Sequence, residues 1–446
     1  MVATCFFVFM SNYITASISP ILVPIIVEFD ISVTKATYLI TCNILTLGLG
    51  NLFWVPLAQK IGKRPVLVIC AAVFFEPAIW SAKASSWGSL LGARIVQGWG
   101  ASCSEALGVA IVRYDSQAES DTSLTCSSLM IAGGSAIGGI FAGLIGHYNT
   151  DWRWVFWMDA ILTGVCLLLT VIFQAETNFS RPLVSEVGEG MEVSQFAELR
   201  SQLRGSWTKG LGMTGWYDRD TSIWHLWLRP LLLLQFPAVV WASITYGITL
   251  GWVVLQQTAN ATAFPEVYGF TEFGVGNLNI SYLIGAILGC AFGGPASDWV
   301  VHWITKRRKG YFEPEFRLWL IIPSAILGPV GLLMWGCGLG NHLDPYIAIV
   351  GSGITYGVLC AVPAVGMTYV VDCYKPLSGE SITVLTAFKN TFAFAVSFAV
   401  NPWLTRDGYA KVSGYMVLIE GLLFLTTIPM YIYGARARRW TAKLVT

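Results

Sequence analysis

Long apolar runs recur along the whole chain, and they limit its fold more than any other feature. Each run is about 20 residues long, the length at which an α-helix crosses the ~30 Å hydrocarbon core of a bilayer. Hydrophobic residues make up 55% of the 446 residues and charged residues only 12%, about half the charged fraction of soluble domains. A soluble protein would have to expose most of this apolar surface to water. The sequence therefore predicts an all-α protein that crosses the membrane many times.

The apolar runs fall into two sets of six, separated by a polar stretch. They lie near 2–27, 36–58, 66–82, 88–112, 122–146, 154–173, 231–254, 274–297, 318–339, 345–370, 381–403 and 412–434. We predict a first six-helix bundle at 1–174, a cytoplasmic linker at 175–229, and a second six-helix bundle at 230–446 with a short cytoplasmic tail. Two repeated halves are typical of transporters that bind their solute between the halves.

The distribution of Lys and Arg predicts how the chain is oriented in the membrane. Twenty of the 27 basic residues lie in one set of alternate loops, five lie in the other set, and two lie within spans. Because basic residues are enriched on the cytoplasmic side, we predict that both termini are cytoplasmic. Asn260 heads a glycosylation sequon, Asn260-Ala-Thr262, and we expect it in the external loop after span 7.

Several motifs resemble those of the major facilitator superfamily. The loop after span 2 is similar to the family's G-x-L-x-D-R-x-G-R-R-P signature, and part of span 4 is similar to the family's span-4 motif. Other segments resemble fungal drug:proton antiporters, in particular the polyamine and histidinol transporter branch. The residues concerned are Pro56–Pro65, LLGARIVQGWGA at 90–101, DWRWVFW at 151–157, YVVDCY at 369–374, Ser378-Gly-Glu380 and Lys389-Asn390. The resemblance covers essentially the whole chain and implies the major facilitator fold, with twelve transmembrane helices in two pseudo-symmetric six-helix bundles.

The chain departs from the family pattern at four places. Val55 and Gln59 replace the Gly and Asp of the loop signature, and Ser135 replaces the Pro of the span-5 antiporter signature G-P-x-x-G-G. The loop RYDSQAESD after span 4 lacks the usual acidic and arginine pattern. These departures bear on the direction of coupling and on gating, and not on the fold.

Ionisable groups inside spans are the main functional candidates, because a charge in the hydrocarbon core is costly unless it faces a cavity or a partner. Arg94 and Glu105 lie 11 residues apart, which places them on one helix face about 16 Å apart. The resemblance implies that this helix lines the central cavity, so we expect Glu105 to couple protons or bind substrate, and Arg94 to tune a carboxylate or hold a carbonyl. The alternatives are a fixed structural ion pair for Glu105 and helix–helix anchoring for Arg94. Lys389 lies too deep for its ammonium to reach the interface and needs a partner; we expect Lys389 and the adjacent Asn390 to act in proton coupling or substrate binding, with a structural pair as the alternative for Lys389.

Other residues are expected to bound the cavity, to gate it or to play structural roles. Acidic residues on the peripheral spans, Glu76, Asp159 and Glu420, are expected to make local hydrogen bonds. We predict that the cavity walls include Trp241, Tyr246, Tyr356 and Phe392. We predict gating roles near the cytoplasmic helix ends for Lys60, Gly62, Lys63, Arg64, Asp298 and Asp372. The sequence contains no phosphate-binding loop, metal cluster or catalytic triad, so we predict neither an enzyme nor a cofactor nor a nucleic-acid partner.

Together these features predict a secondary active transporter that moves a small organic solute by alternating access. The resemblance favours proton-coupled efflux of a drug, a secondary metabolite or a polyamine-like compound. A proton-coupled importer of organic cations and a non-transporting sensor of the same fold are the alternatives. The expected partners are the solute, protons and the bilayer, and we expect a monomer in the plasma membrane, with the vacuolar membrane as the alternative.

The orientation predicts that the 175–229 linker faces the cytoplasm. An epitope tag inserted there should be inaccessible to antibody in intact cells and become accessible after permeabilisation, because the basic loops stay on the cytoplasmic side. Labelling of the tag in intact cells would contradict the predicted topology.

Overall fold

The computed structural model describes residues 2–108, 111, 120–149, 151–174, 222–308, 313–374 and 377–442. In chain order the helices are α1 (Val2–Ser17), α2 (Leu22–Phe29), α3 (Val33–Ile61), α4 (Lys63–Ala82), α5 (Trp87–Ala101), α6 (Ser120–Tyr148), α7 (Arg153–Phe173), α8 (Ile223–Leu232), α9 (Pro237–Tyr268), α10 (Glu272–Ala291), α11 (Ser297–Arg307), α12 (Ile321–Gly340), α13 (Pro345–Cys373), α14 (Ser378–Leu425) and α15 (Thr427–Ala442). Turns of π-helix follow α5 at Ser104–Gly108 and α10 at Phe292–Ala296, and 3₁₀ turns lie at Leu233–Gln235 and Pro314–Leu320.

The helices account for the twelve predicted spans. In the described part of the chain, nine helices are long and apolar enough to cross a membrane, and the bent pair α1–α2 makes a tenth. α5 is shorter, because its chain passes into the π-helical turn at Ser104. The segment from Gly379 to Thr441 is counted as one helix in that total. Gly408, with the non-helical angles φ 75° and ψ 163°, divides it into two helices, which correspond to the last two predicted spans. The α-helix suits this setting because it satisfies its backbone hydrogen bonds internally, without water.

The first span, predicted near 2–27, is broken at the segment that contains Pro20. α1 and α2 meet at an angle of 51°. Pro20 has no N–H to donate to Ala16, and the carbonyl of Ala16 instead accepts from the amide of Ser19 at 3.1 Å. The bend therefore has a local cause in the sequence.

Asn260 lies inside a helix, and its prediction as a residue of an external loop is wrong. Span 7 runs from Pro237 to Tyr268, well beyond the predicted end at 254. The Asn260 amide nitrogen donates to the Tyr282 hydroxyl at 2.8 Å, and its oxygen accepts from the Trp335 indole at 2.8 Å. With 3% of its surface exposed, this amide is closed to glycosylation. The polar run QQTANATA ends the apolar run in the sequence, but most of its side chains are buried in the structure.

The predicted linker falls mostly outside the described residues, which resume at 222. Its last residues belong to α8, a short helix before Pro237 begins α9. The described part therefore moves the start of span 7 from 231 to Pro237. The division at 174 and 230 stays a prediction.

Small residues allow the two halves to approach closely. Helices α1–α7 form the first half and α9–α15 the second. A Cβ atom on Gly143 of α6 would lie 2.6 Å from the Cα atom of Gly276 on α10, and one on Gly48 of α3 would lie 2.5 Å from the Cβ atom of Asn390 on α14. Side chains at these glycines would hold the helices apart, as at other small-residue helix contacts in membranes. The cavity described below lies between these contacts.

We predict opposite effects for two alanine substitutions on α6. Gly143→Ala places a methyl group against the backbone of α10 and should destabilise the protein by about 1–3 kcal/mol. Gly133→Ala is the matched control, because a Cβ atom there meets nothing within 4 Å, and it should be neutral or stabilising by up to ~1 kcal/mol through helix propensity. Denaturant unfolding of the purified protein in detergent measures both; equal effects would refute the close contact.

Candidate functional site

A cavity of about 120 Å³ lies between the two halves. Its wall comes from α1, α3, the π-helical turn and α6 in the first half, and from α9, α13 and α14 in the second. Fourteen of its 24 lining residues are apolar and ten are polar. The polar lining residues are Asn12, Thr15, Glu105, Ser135, Tyr246, Gln257, Tyr356, Thr386, Lys389 and Asn390.

A buried ion pair joins the halves at this cavity. The Lys389 Nζ atom lies 3.0 Å from the Glu105 Oε1 atom, and each side chain is 4% exposed. The second carboxylate oxygen, Oε2, accepts from the Asn390 amide nitrogen at 2.9 Å. Glu105 belongs to the first half and both partners to the second, so relative motion of the halves must act on these bonds.

Tyr246 gives the ammonium a second partner. The Lys389 Nζ atom donates to the Tyr246 hydroxyl at 3.1 Å and lies 4.5 Å from the centroid of that ring. An ammonium group over an aromatic face gains a cation–π attraction. Lys389 therefore retains one stabilising contact, to its own half, if the bond to Glu105 is lost.

Local backbone features place these groups. Glu105 lies in the π-helical turn Ser104–Gly108, a feature frequent at functional sites because it changes the direction of a side chain. On the other side, Gly48 provides room for Asn390. The pair therefore depends on one irregular turn and one missing side chain, in addition to the charges themselves.

A second polar contact between the halves lies across the cavity. The hydroxyls of Ser135 on α6 and Tyr356 on α13 are hydrogen-bonded to each other, and the Tyr356 hydroxyl also donates to the Ala132 carbonyl at 3.2 Å. Ser135 stands where the antiporter signature has Pro. The departure from the signature thus introduces a hydroxyl that the structure uses to contact the second half.

Arg94 lies outside the cavity, in contrast to the shared face predicted for Arg94 and Glu105. It is fully buried, and its guanidinium donates to the Ile14 carbonyl at 3.2 Å, to the Leu39 carbonyl at 3.3 Å and to the Gln97 side chain at 2.8 Å. The regular α-helix ends at Ala101, and Glu105 lies in the π-helical turn Ser104–Gly108, so the regular α-helical register on which the prediction depended does not extend to Glu105. The geometry therefore favours a structural role for Arg94.

Two of the predicted cavity aromatics are also placed elsewhere. The Trp241 indole donates to the Thr426 hydroxyl at 3.1 Å and packs edge-to-face on Tyr369. Phe392 packs against Gly247, with atoms 3.0 Å from where a Cβ atom would stand. Tyr246 and Tyr356 line the cavity as expected. Helix position alone did not separate the two pairs, because α9 and α14 are buried on several faces.

The candidate gating residues form two clusters at helix ends. Arg317, in the 3₁₀ turn Pro314–Leu320, binds both acidic candidates, Asp298 and Asp372, at 2.8 Å each. In the first half, Gly62 separates α3 from α4 with φ 106°, a conformation that favours glycine. The Arg64 guanidinium donates to the Val171 carbonyl at 3.0 Å and so ties α4 to α7. Lys60 and Lys63 flank this turn as the last basic residue of α3 and the first residue of α4.

Sequence analysis missed several uncharged polar groups of the site, among them Asn12, Thr15 and Gln257, which line the cavity. Asn12 and Thr15 lie in an apolar run in which hydropathy does not distinguish them from residues at helix contacts, and Gln257 lies in the polar run that follows the predicted end of span 7. Arg317 is one of the twenty basic residues in the cytoplasmic loops, and the sequence sign of a charged cluster is Glu315, two residues before it. In the structure Glu315 binds Arg438 at 2.7 Å.

Comparison with known proteins agrees with this architecture. The Major Facilitator Superfamily profile matches residues 3–400. Protein HOL1 of Saccharomyces cerevisiae is 27% identical over 90% of this chain and 80% of its own length. The probable efflux pump mfs2 of Aspergillus flavus is 26% identical over 92% of this chain and 96% of its own.

Solved structures show the same fold at low sequence identity. The xylose transporter XylE from E. coli superposes with a TM-score of 0.63 at 16% identity, covering 97% of this chain and 98% of that one. The human organic anion transporter MFSD10 superposes with a TM-score of 0.58 at 13% identity, covering 95% and 98%. The family match, the helix arrangement and the cavity between two halves agree: the chain belongs to the Major Facilitator Superfamily.

Proposed function

We propose that this membrane transport protein exports a small organic solute by alternating access, and that proton binding at Glu105 drives the cycle. The observation that carries the proposal is the ion pair between Glu105 and Lys389, which joins the two halves inside the cavity. Alternating access requires the halves to move relative to each other around this site. A bond between halves whose strength depends on a proton supplies the coupling.

Protonation of Glu105 weakens the contact between the halves. A neutral carboxylic acid has no charge to attract Lys389, and Coulombic attraction in a site shielded from water is much larger than in bulk water. The ammonium then keeps its contacts with Tyr246. Loss of the proton restores the ion pair and draws the halves together. Proton uptake and release on opposite sides of the membrane thus alternate with the two conformations.

The cavity chemistry favours a small amphipathic solute. The Glu105 and Lys389 charges compensate each other, so this pair adds no net charge to the site. Aliphatic side chains such as Ile44 and Leu250 dominate its wall, and a few neutral polar groups, among them Asn12 and Gln257, are placed to orient a ligand. This combination is typical of sites for organic molecules.

The direction of transport rests on similarity. The A. flavus relative is described as a probable efflux pump, which favours export. Import of an organic cation is the second candidate, because Glu105 is an anionic cavity group that a cationic solute would bind in place of Lys389. Flux measured in oriented vesicles distinguishes the two, and complete absence of flux for every solute tested would favour the sensor alternative.

We predict that transport requires a proton gradient and no nucleotide. In proteoliposomes, solute accumulation driven by an imposed pH gradient should stop when a protonophore collapses the gradient and the membrane potential. The reason is that the proposed cycle takes its energy only from proton movement through Glu105. Addition or omission of ATP should make no difference. Accumulation that persists after the collapse would contradict proton coupling.

We predict that Glu105→Gln separates solute exchange from gradient-driven accumulation. Glutamine resembles the protonated acid, so solute-for-solute exchange should continue while pH-driven accumulation is lost. The unpaired ammonium of Lys389 should destabilise this variant by about 3–5 kcal/mol. The double variant Glu105→Gln/Lys389→Gln removes that charge and should exchange without accumulating.

A buried carboxylate outside the cavity provides the matched control. Glu420 is 1% exposed, and Glu420→Gln should leave exchange and accumulation unchanged. Measuring both activities on the same reconstituted preparation decides the role of Glu105. Wild-type accumulation in Glu105→Gln, with an unchanged pH dependence, would show that the coupling proton binds elsewhere.

A further inference from the structure

Asp159 is another buried carboxylate outside the cavity. It lies on α7 and is fully buried. Its Oδ2 atom accepts from the Ser17 hydroxyl at 3.0 Å, and its Oδ1 atom has no hydrogen-bond partner in the described part of the chain. Arg94 is the cation whose charge acts on it. A buried carboxylate without a direct ion pair is stabilised by binding a proton.

Ser17 connects this carboxylate to the break in the first span. It is the last residue of α1, and its hydroxyl oxygen lies 3.0 Å from the Ile14 carbonyl and 3.0 Å from Asp159 Oδ2. A serine hydroxyl has one hydrogen to donate. It can therefore donate its hydrogen either to the Ile14 carbonyl or to the Asp159 carboxylate.

Arg94 binds the same carbonyl. Ile14 lies in the last turn of α1, where carbonyls lack partners within the helix and where a cation is favoured by the helix dipole. Two guanidinium nitrogens of Arg94 donate to the Ile14 carbonyl at 3.2 Å. Ser17 and Arg94 thus contact the same carbonyl, near the end of α1, and Asp159 is linked to it through the Ser17 hydroxyl.

The segment beyond the break contacts the second half. The Ser19 hydroxyl donates to the Gln257 carbonyl on α9 at 3.3 Å, and Leu22 of α2 packs with Ala36 and Ala261. A change in the bend angle between α1 and α2 would therefore alter a contact between the halves.

We propose that Asp159 is a proton-binding site that sets the bend of the first span. When Asp159 is ionised, Ser17 donates to it, and Arg94 alone holds the Ile14 carbonyl. When Asp159 takes a proton from water, its O–H donates to the Ser17 oxygen, and the Ser17 hydrogen turns to Ile14. The Ile14 carbonyl then has a third donor, and Arg94 loses the negative charge that balanced it.

Few other titratable groups act on Asp159. In the described part of the chain, its electrostatic partners are Arg94 on α5 and Tyr13 on α1. α4 also packs against α7, but its one acidic residue, Glu76, is exposed at the surface. Proton binding at Asp159 and the bend between α1 and α2 can be measured without solute transport.

The test measures the bend without any solute. Spectroscopic labels are placed by bio-orthogonal chemistry at Val27 of α2, which is 75% exposed, and at the exposed Glu266 of α9. The full chain is held in nanodiscs, and the distance between the labels is recorded from acidic to alkaline pH. The background is Glu105→Gln/Lys389→Gln, so that the cavity carboxylate does not titrate.

We expect the distance between the two labels to follow a one-proton titration in this background. Adding Asp159→Asn should abolish the change, adding Ser17→Ala should reduce its amplitude while the carboxyl remains, and adding Glu420→Gln should leave it intact. A distance that is independent of pH, or an unchanged titration with Asp159→Asn, would overturn the proposal. If Asp159→Asn does not fold, Ser17→Ala decides, since an unchanged amplitude also overturns it. If the flux assay shows no coupling to the pH gradient while the distance between the labels still follows the one-proton titration, only the proposed function is contradicted.

Discussion

The structure depends on the ion pair between Glu105 and Lys389, buried where the halves meet. Charges shielded from water must keep a partner, because an uncompensated buried charge costs several kcal/mol. The halves can separate at this point only if a proton, a solute or another side chain takes over one of the lost contacts. Tyr246 is already in place to do so for the ammonium. The charge state of Glu105 and the arrangement of the halves are therefore linked by electrostatics, without a dedicated mechanical device.

This ion pair needs helices that approach closely and still move. Gly48 lets α14 reach α3 beside the pair, and Gly143 and Gly276 bring α6 against α10. Contacts between glycines have no side chains to interlock, so their cost changes little as the helices shift. Directional bonds between the halves, such as the one between Ser135 and Tyr356, lie beside the cavity, where a solute would meet them. The interface thus combines sliding surfaces with a few bonds that a ligand is placed to replace.

The twelve spans were predictable because the bilayer fixes both the length and the composition of a crossing helix. The need of Lys389 for a partner followed from the same cost of burying charge. The identity of that partner did not follow, because the π-helical turn at Ser104 changes the register of Glu105 and leaves no mark in hydropathy. The prediction that Asn260 lies in an external loop was wrong for a related reason. A polar residue that ends an apolar run can also be buried within a helix when other side chains bind it, as Tyr282 and Trp335 do here. Sequence thus predicts which groups need partners more readily than it predicts the partners.

The two buried cations differ in a way that explains their different positions. Arg94 directs its rigid, planar set of donors at two carbonyls and a side-chain amide, a geometry that suits a fixed anchor. Lys389 is a compact charge on a flexible stem, and it can exchange Glu105 for another acceptor by rotation about its side-chain bonds. An anchor belongs inside one half, where contacts persist through the cycle, and Arg94 lies there. A charge that must change partners belongs between the halves, and Lys389, with Glu105 opposite, occupies that position.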